Sequence, residues 1–191
     1  MRKVILASAS PRRSELLRQI GLKFEVDPCD EAEFPLRTDD PKNAARRISQ
    51  AKAVTVAARH KDAIIIAADT FGVVDGKIFG KPTSAENARE MLTTISGRYH
   101  EVITGFTIID TASRKIVSRA VETSVFMKKL TPEEIDAYIE SKEPLDKAAA
   151  YAIQGLGAVI IKRIEGDYFN VVGLPLEALS EALKEFDIRI L

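Results

Sequence analysis

The chain predicts an α/β fold, and three observations carry that expectation. The apolar run from Ala63 to Ala68 contains Ile64, Ile65 and Ile66 without alternation, the pattern of a strand covered on both faces in the middle of a sheet. Strand-like and helix-like stretches succeed one another along the chain. Capping and turn signals separate them, among them Asp40-Pro41, Asp75-Gly76 and Thr131-Pro132-Glu133-Glu134. The central run ends in Ala67-Ala68-Asp69-Thr70, which delivers a carboxylate where the buried strand emerges. Ligands bind at that end of the strands in α/β proteins, although a turn residue closing the strand accounts for Asp69 equally well.

The 191 residues fit one large domain or two small ones, and 46% apolar residues suffice for a core. The 28 basic and 28 acidic residues cancel, so no overall field favours nucleic acid or an anionic membrane surface. Any bound anion must be met by a local cluster. Cys29 is the single cysteine and has no partner for an internal disulfide, which is compatible with a reducing cytoplasm. Met1-Arg2-Lys3 is followed by only Val4-Ile5-Leu6-Ala7, too short for a signal-peptide core, and no apolar stretch spans a bilayer. A soluble, cytoplasmic protein is expected.

Val4 to Ala7 reads as the first strand, followed by Ser8-Ala9-Ser10-Pro11-Arg12-Arg13-Ser14-Glu15-Leu16-Leu17, a loop turning into a helix. Ser10 suits the N-cap, Pro11 the first helical position, and Gly21 the end. Hydroxyls, backbone N–H groups and two arginines thus converge at a helix N-terminus, which describes a phosphate site; a well-capped helix with two solvated arginines is the plainer alternative. The acidic loop from Phe24 to Asp40 offers carboxylates suited to Mg²⁺, but nothing in its spacing singles one out.

Asp40 caps a helix expected to run to about Arg59, with Ala44, Ala45, Ile48, Ala51 and Val54 or Val56 inward. Lys52 lies among polar residues there, either a surface charge or a phosphate ligand; its neighbours favour the surface. Val73 to Phe79 forms a hairpin around Asp75-Gly76. Lys81 is held between Gly80 and Pro82, a rigid connector that favours ligand contact over a solubilising role. Thr83-Ser84-Ala85-Glu86 reads as a capping box opening a helix with Ala88, Met91, Leu92 and Ile95 inward.

Glu101 to Asp110 and Lys115 to Lys128 read as an antiparallel pair, and Thr131 to Glu134 as the capping box of a short helix. This middle region suggests a second lobe facing the first, with a nucleotide-sized cleft between them. In Glu143 to Gly157, small alanines and two glycines permit close backbone approach, and Gln154 is suited to reading a base edge or holding a water. A tight turn needing glycine at positive φ is the plainer account of that stretch. Ala158 to Ile164 is expected as a strand, Tyr168 to Val172 as a strand pairing back on it, and Leu176 to Lys184 as an amphipathic helix. His60 and His100 stand alone, and no zinc spacing, G-x-S-x-G elbow or Walker lysine motif occurs.

The ordered blocks Leu6 to Leu17, Ala68-Asp69-Thr70, Gly80-Lys81-Pro82, Ser96-Gly97, Glu143 to Ala148, Ile153-Gln154-Gly155 and Val172 to Leu176 together resemble the Maf family over nearly the whole chain. The resemblance implies a single domain over residues 1–191, an α/β fold with an elongated mixed sheet flanked by helices, and two lobes around a substrate cleft. It also implies a nucleoside triphosphate pyrophosphatase that releases a monophosphate and pyrophosphate, a divalent cation (Mg²⁺ or Mn²⁺), a cytoplasmic address and a homodimer. Arg12, Thr70 and Gln154 match the dTTP/UTP type, where the 7-methyl-GTP type carries Trp, Gln and Glu. By the same resemblance Asp69 is the general base, Arg13, Lys52 and Lys81 are phosphate ligands, and Asp69 and Glu33 hold the metal, while the local reading of the strand-to-helix junction adds Ser8 and Ser10 to the phosphate site. A 7-methyl-GTP or inosine triphosphate-type pyrophosphatase and a non-catalytic nucleotide-binding regulator of cell division are the alternatives.

Overall fold

The computed structural model describes residues 2–29 and 40–191, so the expected metal carboxylate Glu33 and the acidic loop around it lie outside the described residues. The strands are β1 (Lys3–Leu6), β2 (Glu25–Val26), β3 (Ala63–Val74), β4 (Lys77–Phe79), β5 (Tyr99–Asp110), β6 (Ile116–Met127) and β7 (Ile161–Glu165). The helices are α1 (Pro11–Gln19), α2 (Pro41–Ala57), α3 (Ala85–Ile95), α4 (Pro132–Glu140), α5 (Tyr168–Val172) and α6 (Leu176–Lys184). Three 3-10 turns, Glu143–Asp146, Ala148–Ala150 and Gly155–Val159, fill the interval between α4 and β7.

The seven strands form one sheet in the order β2-β1-β3-β5-β6-β7, with β4 beside β3. β1 runs parallel to both β2 and β3, in register from Lys3 opposite Ala63 to Leu6 opposite Ile66, whereas β4 on β3 and β7 on β6 are antiparallel. The sheet is therefore mixed, as expected. Ile64, Ile65 and Ile66 are all 0% exposed, which is why that run lacks polar alternation.

The chain divides into two compact units, each assembled from separated segments. The first comprises Met1–Asp69, Thr104–Val121 and Gly173–Leu191. One of its clusters packs Ile5, Ala7, Ala53, Val56, Ala63, Ile65, Ala67 and Ile109. Here α2 approaches β5 so closely that a Cβ at Gly105 would lie 2.1 Å from the Ala45 carbonyl oxygen. The second comprises Thr70–Ile103 and Glu122–Val172. Its core packs Leu92 and Ile95 of α3 with Val125 and Met127 of β6 and Ile135 and Tyr138 of α4.

Local signals place most element ends. Asp40 accepts from the Asn43 N–H at 3.0 Å, and Thr131 and Glu134 form the expected reciprocal capping box. At the end of α1, Gly21 at φ +72 lets its own N–H reach Arg18 and that of Leu22 reach Leu17, a Schellman closure. Asp75 and Gly76 both take positive φ between β3 and β4, as the hairpin turn requires.

Six expectations about the elements need correction. Glu25–Val26, within the stretch read as a loop from Phe24 to Asp40, pairs with β1 as β2. β3 does not stop near Asp69 but continues to Val74, because apolar burial resumes at Phe71, Val73 and Val74 and β4 supplies ladder partners for residues 72–74. Along α2, Ala53 and Val56 are buried, whereas Ala51 is half-buried and Val54 is 49% exposed. The cap of α3 is Ser84, one residue later than the motif suggested, and its side chain accepts from the Asn87 N–H at 3.1 Å. Ala158 and Val159 belong to a 3-10 turn, and β7 begins only at Ile161. Tyr168–Val172 is a helical turn, not a strand. Asp167 accepts from the Phe169 N–H at 2.7 Å, and the buried Asn170 amide donates to Val102 O at 3.0 Å and Thr123 Oγ1 at 2.9 Å, contacts that override the β-branched composition.

Candidate active site

In the first unit, β1 gives way to the loop preceding α1 at Ala7, whose N–H still donates to Ile66 O of the neighbouring strand at 2.8 Å. Ser8 follows and is buried. Its Oγ accepts from the Ser10 N–H at 3.3 Å and from Arg13 Nη1 at 2.9 Å. With both acceptor sites engaged, the Ser8 hydroxyl has its O–H to donate, the polarity a phosphate oxygen needs. Ser10 occupies the N-cap position, yet its side chain makes no capping bond, so the expected capping role is not filled. Arg12 and Arg13 occupy the first turn of α1, which contains no acidic residue.

Arg13 also donates through Nε to Gly173 O at 2.9 Å, a tie across 160 residues. Burial pushes its guanidinium below the ordinary value; the Asp69 charge opposes that shift and neighbouring Arg12 adds to it. Arginine remains charged throughout.

Asp69 lies within β3 and pairs through Oδ1 with Lys52 Nζ of α2, each side chain 21% exposed. The surface position favoured for Lys52 is thereby corrected. Ala45, Ile48, Ser49 and Val56 are buried on α2, and Lys52 falls at the three- and four-residue spacing of that same stripe. This spacing was the available signal, obscured by the polar residues adjacent in sequence.

The structure brings Ser8, Ser10 and Arg13 together at the strand-to-helix junction and pairs Lys52 with Asp69, with the Asp69 charge felt at Arg13. Arg12 is half-buried beside them. Thr70, Lys81 and Gln154 belong to the second unit. Thr70 is half-buried on β3, whereas Lys81 and Gln154 are exposed. Lys81 follows Gly80, whose carbonyl accepts from the Ala149 N–H at 2.9 Å. Gln154 directly precedes the 3-10 turn Gly155–Val159. Among the described residues no three His, Cys, Asp or Glu side chains gather as a metal cage, and no helix is long and apolar enough to cross a membrane.

Sequence reasoning assigned no role to the Gly173 carbonyl, which no local pattern marks. It reads Tyr138 only as part of the apolar face of its helix and gives the Glu143 side chain no role, whereas the two together hold the backbone around Gln154. Capping and periodicity rules do not address contacts of that kind.

The Maf-like protein family matches residues 3–186. A dTTP/UTP pyrophosphatase of Thermoanaerobacter sp. (strain X514) is 50% identical over 191 residues, covering 99% of this chain and 100% of that protein. A dTTP/UTP pyrophosphatase of Methanococcoides burtonii is 51% identical over 191 residues, covering 100% of this chain and 98% of that protein. Among solved structures, the Staphylococcus aureus Ham1 protein is similar in fold, with a TM-score of 0.50 at 14% identity over 84% of this chain and 80% of that one. With a match spanning nearly every residue and relatives half identical along their full lengths, this chain belongs to the Maf-like protein family.

Proposed function

We propose that the chain is a hydrolase of phosphoanhydrides, a nucleoside triphosphate pyrophosphatase that cuts dTTP and UTP between the α and β phosphates. The observation that carries this reading is Asp69, a carboxylate paired with Lys52 and acting on Arg13. Full-length relatives named for that activity support the substrate. Phosphoanhydride hydrolysis needs neutralised charge more than covalent chemistry, and such a cationic surround suits it.

In the proposed reaction, the Ser8 hydroxyl, the Ser10 region and the first turn of α1 bind phosphate oxygens through O–H and N–H donors. Arg13, Lys52 and Lys81 neutralise the phosphate chain. Asp69 orients a water and accepts its proton as the water oxygen bonds to the α phosphorus. The bond from that phosphorus to the bridging oxygen breaks, and pyrophosphate leaves. Arg12, Thr70 and Gln154 select the pyrimidine base.

Among the described residues Asp69 stands with Lys52 and Arg13 and not in a cage of carboxylates, an arrangement that fits a hard cation shared with substrate phosphates. Asp69 and Glu33 would hold the Mg²⁺ or Mn²⁺, which supplies charge neutralisation and a more acidic bound water. A cytoplasmic homodimer completes the proposal, to be tested by cell fractionation and light scattering.

Pyrophosphate release from dTTP, UTP, CTP, 7-methyl-GTP and ITP with Mg²⁺ or Mn²⁺ tests the reading. Preferential turnover of dTTP and UTP is expected. Preference for 7-methyl-GTP or ITP would overturn the substrate, and binding without metal-dependent turnover would make the chain a nucleotide-binding regulator.

A further inference from the structure

Within the second unit, the backbone on both sides of Gln154 ends on two side chains. Glu143 Oε2 accepts from the Leu156 N–H at 3.0 Å and Oε1 from the Gly157 N–H at 2.9 Å. Oε1 also accepts from the Tyr138 hydroxyl at 2.8 Å, and that hydroxyl in turn accepts from the Ala152 N–H at 3.1 Å. Residues 152, 156 and 157 are therefore tied to one Tyr138–Glu143 pair, while Gln154 between them remains exposed.

The fit around this pair requires glycines. Gly155 adopts φ +66, and a Cβ there would lie 2.4 Å from Glu143 Oε2. A Cβ at Gly157 would lie 2.0 Å from Ala152 O and 2.7 Å from the Tyr138 hydroxyl. Hydrogen bonds to an ionised carboxylate are stronger than neutral ones, and burying the acceptor without them is costly. In the folded chain these bonds, with the Tyr138 hydroxyl, hold the Glu143 carboxyl below the ordinary range although burial pushes it up.

We infer that Glu143, with Tyr138, is a specificity-determining positioning residue, which sets the backbone of residues 152–157 so that the Gln154 amide meets the base of a pyrimidine nucleotide in one orientation. This rests on the dTTP/UTP reading above. Glu143 touches no substrate in this assignment and acts only through Gln154. Backbone without ladder partners relies on packing and on hydrogen bonds such as these to present a side chain reproducibly, and a base reader must be held to a fraction of an ångström.

The test is Glu143→Gln, which keeps the side chain's size but replaces one acceptor oxygen by an amide donor facing backbone N–H groups. The ratio of kcat/KM for dTTP to that for CTP should fall about tenfold, the effect of one displaced hydrogen bond. KM for dTTP should rise while kcat stays within about threefold, and the Leu156 and Gly157 amides should exchange hydrogen at least about tenfold faster. In a Gln154→Ala background the same substitution should leave the ratio unchanged, because its effect passes through Gln154. A merely structural carboxylate would lower the active fraction for every nucleotide alike. If Glu143→Gln does not fold, Tyr138→Phe reads the same ratio with a smaller expected loss. A wild type that prefers dTTP, with the preference intact in whichever folded variant is read, overturns this assignment alone. A wild type without pyrimidine preference fails the underlying reading, and this assignment falls with it.

Discussion

Asp69 stands on regular backbone, in a 12-residue strand where Ala67 and Ala68 are 0% exposed and Phe71 is 1% exposed. Gln154 stands on irregular backbone, where Ala149 and Ala150 take positive φ and a few side chains satisfy the N–H groups. On β3, position comes from the sheet, and partner side chains set only the electrostatics. Around residues 147–157, position itself depends on particular side chains. Substitutions near Asp69 should therefore change chemistry without moving the chain, whereas substitutions near Gln154 should move the chain and change selectivity.

The largest expected effect falls on the strand side. Asp69→Asn should reduce pyrophosphate release by about two orders of magnitude or more, as loss of a general base can, with circular dichroism and melting temperature nearly unchanged. Near-normal turnover would remove Asp69 from the reaction.

A pH titration of stability probes the contact between β5, which carries His100, and the irregular stretch, which carries Tyr151. His100 is 1% exposed, donates to or accepts from the Tyr151 hydroxyl at 2.7 Å, and is pushed by burial down to about 4. Its folded value lies below the unfolded one near 6.5. The stability it contributes is therefore complete above that pH and is lost as pH falls toward 4, by about 2–3 kcal/mol. His100→Gln should flatten denaturant-derived stability across that window. An unchanged slope would show that other groups control acid unfolding.

The strand and the irregular stretch are in close contact at Gly72. A Cβ at Gly72 would lie 2.8 Å from the Ala149 Cβ, so Gly72→Ala should destabilise by about 1–3 kcal/mol. Adding Ala149→Gly removes the clash and relieves a positive φ, and the pair should couple favourably in a double-mutant cycle. Additive free energies would refute the contact.

The smallest effect is one of preference. Gln154→Glu should disfavour dTTP and UTP by several-fold relative to the other nucleotides, by setting a negative charge near the base. Unchanged relative rates would remove Gln154 as a reader.

Much of the fold was legible because its signals are local. Unbroken isoleucines announced a strand buried on both faces, Asp75-Gly76 a hairpin, and Thr131 with Glu134 a helix start. The junction of Ser8, Ser10, Arg12 and Arg13 was legible as a helix N-terminus, though Ser10 does not cap it through its side chain. The place of Lys52 on the buried stripe of α2 was masked by adjacent polar residues, which on local grounds alone favour the surface. Tyr168–Val172 was misread because its conformation follows from Thr123 and Val102, remote partners that composition does not reveal.

The sequence by itself determined the mixed α/β architecture, most element ends and the family, since periodicity, caps and ordered motifs are written in neighbouring residues. Tertiary structure alone decided that Lys52 pairs with Asp69, that Arg13 reaches Gly173, and that Glu143 and Tyr138 hold the backbone around Gln154. Each of these depends on which distant groups the folded chain brings within hydrogen-bonding distance, and a buried donor or acceptor takes the partner found there.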